Sequence, residues 1–254
     1  MKEKEKYKLS GQVVGKMPTD PPTVPPREHF RRALPHYQQP GQAYFLTIML
    51  SGAIPKKALA DYSQKLELIT DNLKFLKDKP KRLAEYQQMR QEYYLFSKKY
   101  RKAYDDLLDN QKIGIVNLAK KANTEIIKNA LLYWEGKRIE NYAFCIMSNH
   151  IHWVFRTFEK DFEEKPVYLQ EIKHSVKSFS ANEINKLENR TGKLYHDEDF
   201  DTTIRNDKHL YSAIKYTILN PVKAGLVEHW HDYPGTWISN EWMEVWECRH
   251  PADK

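Results

Sequence analysis

His150 and His152 flank Ile151 in a strand-like run over residues 150–158. Strand side chains alternate, so both imidazoles project from one face, and such a pair can chelate a cation. An x-His-x-His pair in a strand also serves purely structural ends, so the pair by itself leaves both readings open. Tyr216 and Asn220 stand four apart in a segment of helical period, which places a phenol and an amide on one face. A tyrosine at that spacing is equally a core residue, and an asparagine before Pro221 is equally a helix terminator. Lys173, Lys177, Arg205, Lys215 and Lys223 are candidate phosphate contacts, each also readable as an ordinary solvated charge.

The elements that must hold these residues follow from periodicity. The aromatic and β-branched run 43–50 predicts a buried strand, ended by Ser51-Gly52 and Pro55. Between 56 and 110, apolar residues at alternating spacings of three and four (Leu59, Tyr62, Leu66, Ile69, Leu73, Leu76) predict a helix with a heptad seam. The period resumes at Leu83 beyond Lys79-Pro80-Lys81, so an antiparallel helical hairpin is expected, which either packs on itself or presents a surface to DNA or a second subunit. An amphipathic helix is expected over 113–134, with Ile115, Leu118, Ala122, Ile126 and Ala130 on its inner face. Two strands, 140–147 and 150–158, meet at Ser148-Asn149, a pair suited to a tight turn. A helix over 167–187 should carry Leu169, Ile172, Val176 and Phe179 inward and Lys173, Lys177 and Lys186 outward. A last helix should run from an Asp207 cap to Leu219, and because Pro221 disfavours helical geometry at Asn220 it should end or kink there. With a late short strand, this order implies an α+β fold, a small antiparallel sheet covered by helices.

Composition bounds the functional class. The chain has 254 residues, 41% of them hydrophobic and 13% aromatic, and buries a core without disulfides. Forty-one Lys and Arg against 34 Asp and Glu give a net charge of +7, which favours a polyanionic partner. Cys145 and Cys248 form neither a disulfide framework nor a cysteine zinc site, which fits a reducing compartment. The apolar runs 44–50 and 142–147 are far too short to span a membrane, and MKEKEKYKLS has no apolar signal core, so a soluble, cytoplasmic protein without a membrane partner is expected. Residues 1–42 hold seven of the 13 prolines and are read as an extended leader whose Arg27, Arg31 and Arg32 either track a phosphate backbone or stay solvated. Domain boundaries follow: leader 1–42, domain 43–238 with the hairpin insertion 56–110, and tail 239–254. Trp230, Trp237, Trp242 and Trp246 crowd the C-terminal quarter and are read mainly as packing residues.

Two segments resemble a known family. Tyr142-Ala-Phe-Cys-Ile-Met-Ser-Asn-His-Ile-His-Trp-Val154 and Ile214-Lys-Tyr-Thr-Ile-Leu-Asn-Pro-Val-Lys-Ala-Gly-Leu-Val227 are similar to blocks of the REP-associated tyrosine transposases, members of the HUH single-strand nucleases. Ser178-Phe-Ser-Ala-Asn-Glu-Ile-Asn-Lys186 and Gly192-Lys-Leu-Tyr-His-Asp-Glu-Asp-Phe-Asp-Thr-Thr-Ile-Arg205 resemble the family's stretch between its second and third helices. The resemblance covers about 43–55 and 111–238. It implies a ferredoxin-like HUH nuclease core, His150, His152 and Asn220 as ligands of Mg²⁺ or Mn²⁺, and Tyr216 as the nucleophile. It further implies cleavage and rejoining of single-stranded DNA at imperfect-palindromic hairpins, by a monomer or a homodimer. An inactive hairpin-binding protein of the same fold is the alternative. A phenol with pKa near 10 costs about 4 kcal/mol to ionise at neutral pH. His174, His196 and His209 are candidate proton acceptors for that step. The sequence departs from the family where Ser148 replaces a usual proline, and where Tyr195-His196-Asp197 replaces an aromatic-Gln-Arg run, which exchanges a cation for an acid.

Overall fold

The computed structural model describes residues 8–9, 12–13, 29–31, 35–54, 60–77, 79–110, 115–197 and 199–250. Two short antiparallel ladders, β1 (Lys8–Leu9) with β2 (Gln12–Val13) and β3 (His29–Arg31) with β4 (Pro35–Tyr37), fall within the leader. Arg27 and Arg32, the side chain of Arg31, and Pro55, Leu59 and Ile113 lie outside what is described.

The chain divides into two compact units, 52–112 and the remainder. The larger unit is an α+β fold around a five-stranded antiparallel sheet of order β8-β5-β7-β6-β9. Its strands are β5 (Ala43–Met49), β6 (Ile139–Ile146), β7 (His150–Thr157), β8 (Phe200–Thr203) and β9 (Thr236–Ile238). Helices α3 (Lys121–Leu132) and α4 (Leu169–Leu187) complete a β-α-β-β-α-β path through β5, α3, β6, β7, α4 and β8, the ferredoxin-like topology. Helix α5 (Asp207–Lys223), β9 and α6 (Asn240–Arg249) are added after it.

Strand alternation sorts the side chains into two layers. One face carries Tyr44, Leu46, Ile48, Trp153 and Phe155, all fully buried, and Trp153 donates its indole N–H to Asn141 Oδ1 at 2.6 Å while Asn141 donates to the Leu131 carbonyl in α3. Burying each such side chain contributes about 1.5–3 kcal/mol. The other face carries Ala143 and Val154, which pack with Ala213, Ile214 and Ile218 of α5 and with Trp230, Ile238 and Trp246. That is the face of His150 and His152, since His152 and Val154 are two residues apart on β7. At the far edge Gly235 is obligatory, because a Cβ there would stand 2.4 Å from the Ile146 carbonyl oxygen.

Several expectations are corrected. The helix expected over 113–134 begins only at Lys121, because Asn117 Oδ1 accepts from Ala119 N–H and Leu118 N–H donates to the Ser148 carbonyl, holding 117–120 as turns. Ile115 and Ala122 are accordingly exposed. Asn206, not Asp207, caps α5, accepting from His209 N–H at 2.9 Å. The helix also runs past Leu219 and through Pro221 to Lys223; proline so near a C-terminus removes one backbone donor and leaves the last turn closed by Ala224 N–H on the Asn220 carbonyl. The 239–254 tail holds α6, whose Trp246 joins the buried cluster. The edge strand β8 was not anticipated, since its Asp-Thr-Thr sequence has little strand signal without the β5 edge to pair with.

The smaller unit is the antiparallel hairpin of α1 (Ala60–Lys77, 18 residues) and α2 (Leu83–Asn110, 28 residues), about 27 and 42 Å long. Its seam buries Leu66, Ile69, Leu76, Tyr100, Tyr104 and Leu108, with Tyr62 against Phe96 and Tyr100.

Candidate functional site

The tight Ser148-Asn149 turn is closed by Met147 N–H on the His150 carbonyl at 2.9 Å, and it fixes β6 and β7 so that Ile146 pairs with Ile151 and Cys145 with His152. On the other side His152 pairs with Thr47 of β5 and His150 with Met49. Both imidazoles are fully buried, and their Nε2 atoms approach to 3.1 Å.

Hydrogen bonding assigns their tautomers. Asn149 Oδ1 only accepts, so His150 Nδ1 carries the proton of the 2.7 Å bond between them, and its Nε2 is bare. His152 then donates from Nε2 to His150 Nε2, and its Nδ1 accepts from the Thr47 hydroxyl at 3.0 Å. Burial, with a smaller contribution from Lys223, lowers the His150 pKa to about 3; burial first, then His150 and Lys223, pushes His152 well down. Both rings are therefore neutral, the form that keeps a lone pair for a cation.

Helix α5 brings its residues against this pair. The Tyr216 ring meets His152 edge-on with centroids 5.2 Å apart, and Phe45 closes the third side at 5.5 Å from His152 and 5.8 Å from Tyr216. One turn later on the same face Asn220 is 1% exposed, and neither its amide oxygen nor its nitrogen has a hydrogen-bond partner. One further turn brings Lys223 Nζ to 5.7 Å from the Tyr216 ring centroid. Burying an amide without partners is expensive, about 1–3 kcal/mol, and a water, an ion or a ligand would offset that cost.

These features fit a divalent ion. Two donors in adjacent positions of an octahedral ion at about 2.1 Å stand about 3.0 Å apart, close to the Nε2 separation here. Loading both Nε2 atoms needs only a tautomer swap at His152, for which Thr47 Oγ1 turns from donor to acceptor. No group of three His, Cys, Asp or Glu side chains that could hold a metal exists among the described residues, and the unpartnered Asn220 amide would fit as a third protein donor. The donor set is neutral, which leaves the ion's charge for a bound phosphate, and two imidazoles suit Mn²⁺ better than Mg²⁺.

The expected phosphate contacts separate into two groups. Lys223 lies beside Tyr216, Lys215 is exposed on α5, and Arg205 is exposed before it. Lys173 and Lys177, expected to point outward, instead converge on Asp199, which is fully buried: Lys177 Nζ donates to its two oxygens at 2.8 and 2.9 Å and to the His196 carbonyl, and Lys173 stands 3.3 Å away. Helical period alone placed them outside; the tertiary position of one carboxylate drew them in. Of the candidate proton acceptors, His174 and His196 are exposed, and His209 Nδ1 accepts from Arg205 N–H at 3.4 Å. Thr47, Asn149 and Phe45 were missed. Their signal was positional: Asn149 precedes the pair, and Thr47 and Phe45 lie on the neighbouring strand at the register of His152 and Val154.

No protein-family model matches the chain. A Haemophilus influenzae protein whose curated name assigns it provisionally to the REP-associated tyrosine transposases is 28% identical over 102 residues, 37% of this chain. The match spans 56% of that relative's length. A solved structure of a REP-associated tyrosine transposase bound to a REP hairpin gives a TM-score of 0.39 at 15% identity, over 82% of this chain and 80% of that one. Over the 102 residues aligned with the Haemophilus influenzae protein the chain is similar to a REP-associated tyrosine transposase, and it spans little more than half the length of that curated relative.

Proposed function

We propose that this protein cleaves and rejoins single-stranded DNA at imperfect-palindromic hairpins, with Tyr216 as nucleophile and a divalent cation, Mg²⁺ or Mn²⁺, held by His150, His152 and Asn220. The observation that carries this reading is the meeting of two neutral buried imidazoles, an unpartnered buried amide and a phenol on one patch between β7 and α5. When bound, the cation supplies polarisation of the scissile phosphate and charge for the transition state.

The chain's own residues perform the remaining work. Phe45 and His152 fix the Tyr216 ring plane, which aims the phenol oxygen and reduces the orientational entropy of attack. The Tyr216 oxygen forms a bond to phosphorus as the bond from phosphorus to the leaving 3′ oxygen breaks, and the phenol proton ends on that 3′ oxygen. A 5′-phosphotyrosine and a free 3′-OH result. Attack by a second 3′-OH reverses the exchange and rejoins strands without a nucleotide cofactor. Lys223 sets a positive charge beside the ring, where phenolate and phosphate charge develop.

The test is a denaturing-gel assay of labelled hairpin oligonucleotides from DNA flanking the gene, with Mn²⁺, Mg²⁺ or EDTA. Wild type should form a metal-dependent covalent adduct, and Tyr216→Phe should reduce it at least a thousandfold. Hairpin binding without adduct or cleaved strand under either metal would replace this reading with that of a binding protein.

A further inference from the structure

The connection between α1 and α2 is charged against the electrostatic preference of the helix it leads into. Residues 74–82 read Lys-Phe-Leu-Lys-Asp-Lys-Pro-Lys-Arg, five cations against one carboxylate. Lys74 and Lys77 occupy the last turn of α1, where the helix dipole favours cations, and Lys74 is also paired with Asp71 at 2.8 Å. Lys79, Lys81 and Arg82 stand at the head of α2, where the positive end of the dipole disfavours them. Of these, Arg82 is offset by a two-pronged bond to Glu85. Lys79 Nζ lies 3.0 Å from the centroid of the Phe75 ring, and that ring is 59% exposed. A connection selected only to turn the chain would place a carboxylate or hydroxyl at this helix start. A local preference broken at an exposed point, and only partly offset by Glu85, is consistent with a place kept for contact.

We propose that this tip, where Lys77 and Lys81 flank in sequence a Lys79 held over Phe75, is a binding surface for the phosphate backbone of DNA. The geometry suits that ligand. The Lys79–Leu76 and Arg82–Lys79 backbone bonds hold the turn, Phe75 steadies one ammonium, and the contacts carry charge without base-reading groups. The inference rests on the proposed function only in taking DNA as the partner, and it needs no chemistry at Tyr216.

The test is fluorescence anisotropy on the full chain with a labelled hairpin oligonucleotide carrying a duplex extension, titrated at several salt concentrations. In Lys77→Ala/Lys79→Ala/Lys81→Ala the slope of log affinity against log salt should fall by about 2–3, near 0.9 per lost phosphate contact, with at least tenfold weaker binding at low salt. A control that removes the same charge elsewhere on the hairpin, Lys98→Ala/Lys99→Ala/Lys102→Ala, should change affinity less than twofold. Phe75→Leu, which keeps an apolar side chain but removes the ring beneath Lys79, should weaken binding two- to fivefold. Circular dichroism verifies that the helices persist. An unchanged slope, or equal losses in tip and control variants, overturns the proposal. Loss of binding to phosphatidylserine vesicles with DNA binding intact also overturns it, and assigns the tip to a membrane surface. A wild type that shows the tip-dependent slope but no Tyr216 adduct leaves this inference standing while the proposed chemistry fails.

Discussion

The sheet face beneath α5 and the α1–α2 hairpin differ in where they hold most of their polar groups. Under α5, His150, His152, Thr217 and Asn220 are all at most 1% exposed, and the Asn220 amide is left unsatisfied. In the hairpin the seam is mainly apolar or aromatic, with one buried hydroxyl, Ser97, lacking a hydrogen-bond partner, while cations lie outside in exposed pairs such as Lys74 with Asp71 and Arg82 with Glu85. Exposed pairs of this kind contribute little to stability, about 0–1 kcal/mol. The first region therefore buries an amide at a cost that a ligand would offset, and the second is an amphipathic support that carries only partly compensated charge at its tip. Unsatisfied burial and misplaced exposed charge are two distinct signs of function.

That contrast is open to attack in order of effect. Leu131→Ala, which empties a fully buried position under the sheet, should cost about 2–5 kcal/mol, whereas Leu66→Ala in the hairpin seam should fall at or below the lower end of that range. Chemical denaturation decides, and equal losses would mean that the seam is packed as tightly as the sheet. Asn220→Ala should leave metal-free stability unchanged or raised, because it removes an amide whose burial costs about 1–3 kcal/mol. The same variant should lose most of the rise in melting temperature that Mn²⁺ gives wild type. A large loss of metal-free stability would show that the amide serves the fold instead. Thr47→Val keeps the shape beside His152 but removes the acceptor that its Nδ1–H would need once a cation takes Nε2, and isothermal titration should show about 10–100-fold weaker Mn²⁺ binding.

The smallest expected effect is a pH dependence in the support of the sheet. Burial raises the Tyr44 pKa to about 12 although its hydroxyl bonds both the N–H and the carbonyl of Gln39. The folded-state value lies above the unfolded one near 10, so the stabilisation is fully present below pH 10 and is lost as pH rises towards 12. Two pH units correspond to at most about 2.7 kcal/mol. Tyr44→Phe should flatten the stability profile across that window, and a profile as steep as wild type would assign the alkaline loss to other groups.

Much of this architecture was legible in the chain because its signals are local. The run 43–50, the Ser148-Asn149 turn and the 3.6-residue periods of α4 and α5 each follow from side-chain alternation or helical geometry, and they place His150 with His152 and Tyr216 with Asn220 before any tertiary contact is known. What failed was non-local. The start of α3 depended on a hydrogen bond to Ser148, the direction of Lys173 and Lys177 on Asp199 from a different segment, and β8 on a free edge of β5.

The sequence by itself determined which residues share a face, since backbone geometry repeats every two residues in a strand and every 3.6 in a helix. Only the tertiary structure decided that the imidazole face of β7 and the phenol–amide face of α5 confront each other. It also decided that Thr47 and Asn149 set the tautomers of the pair. Such facts depend on strand order and on the packing of distant segments, and they are fixed by burial of the whole core, which no window of sequence contains.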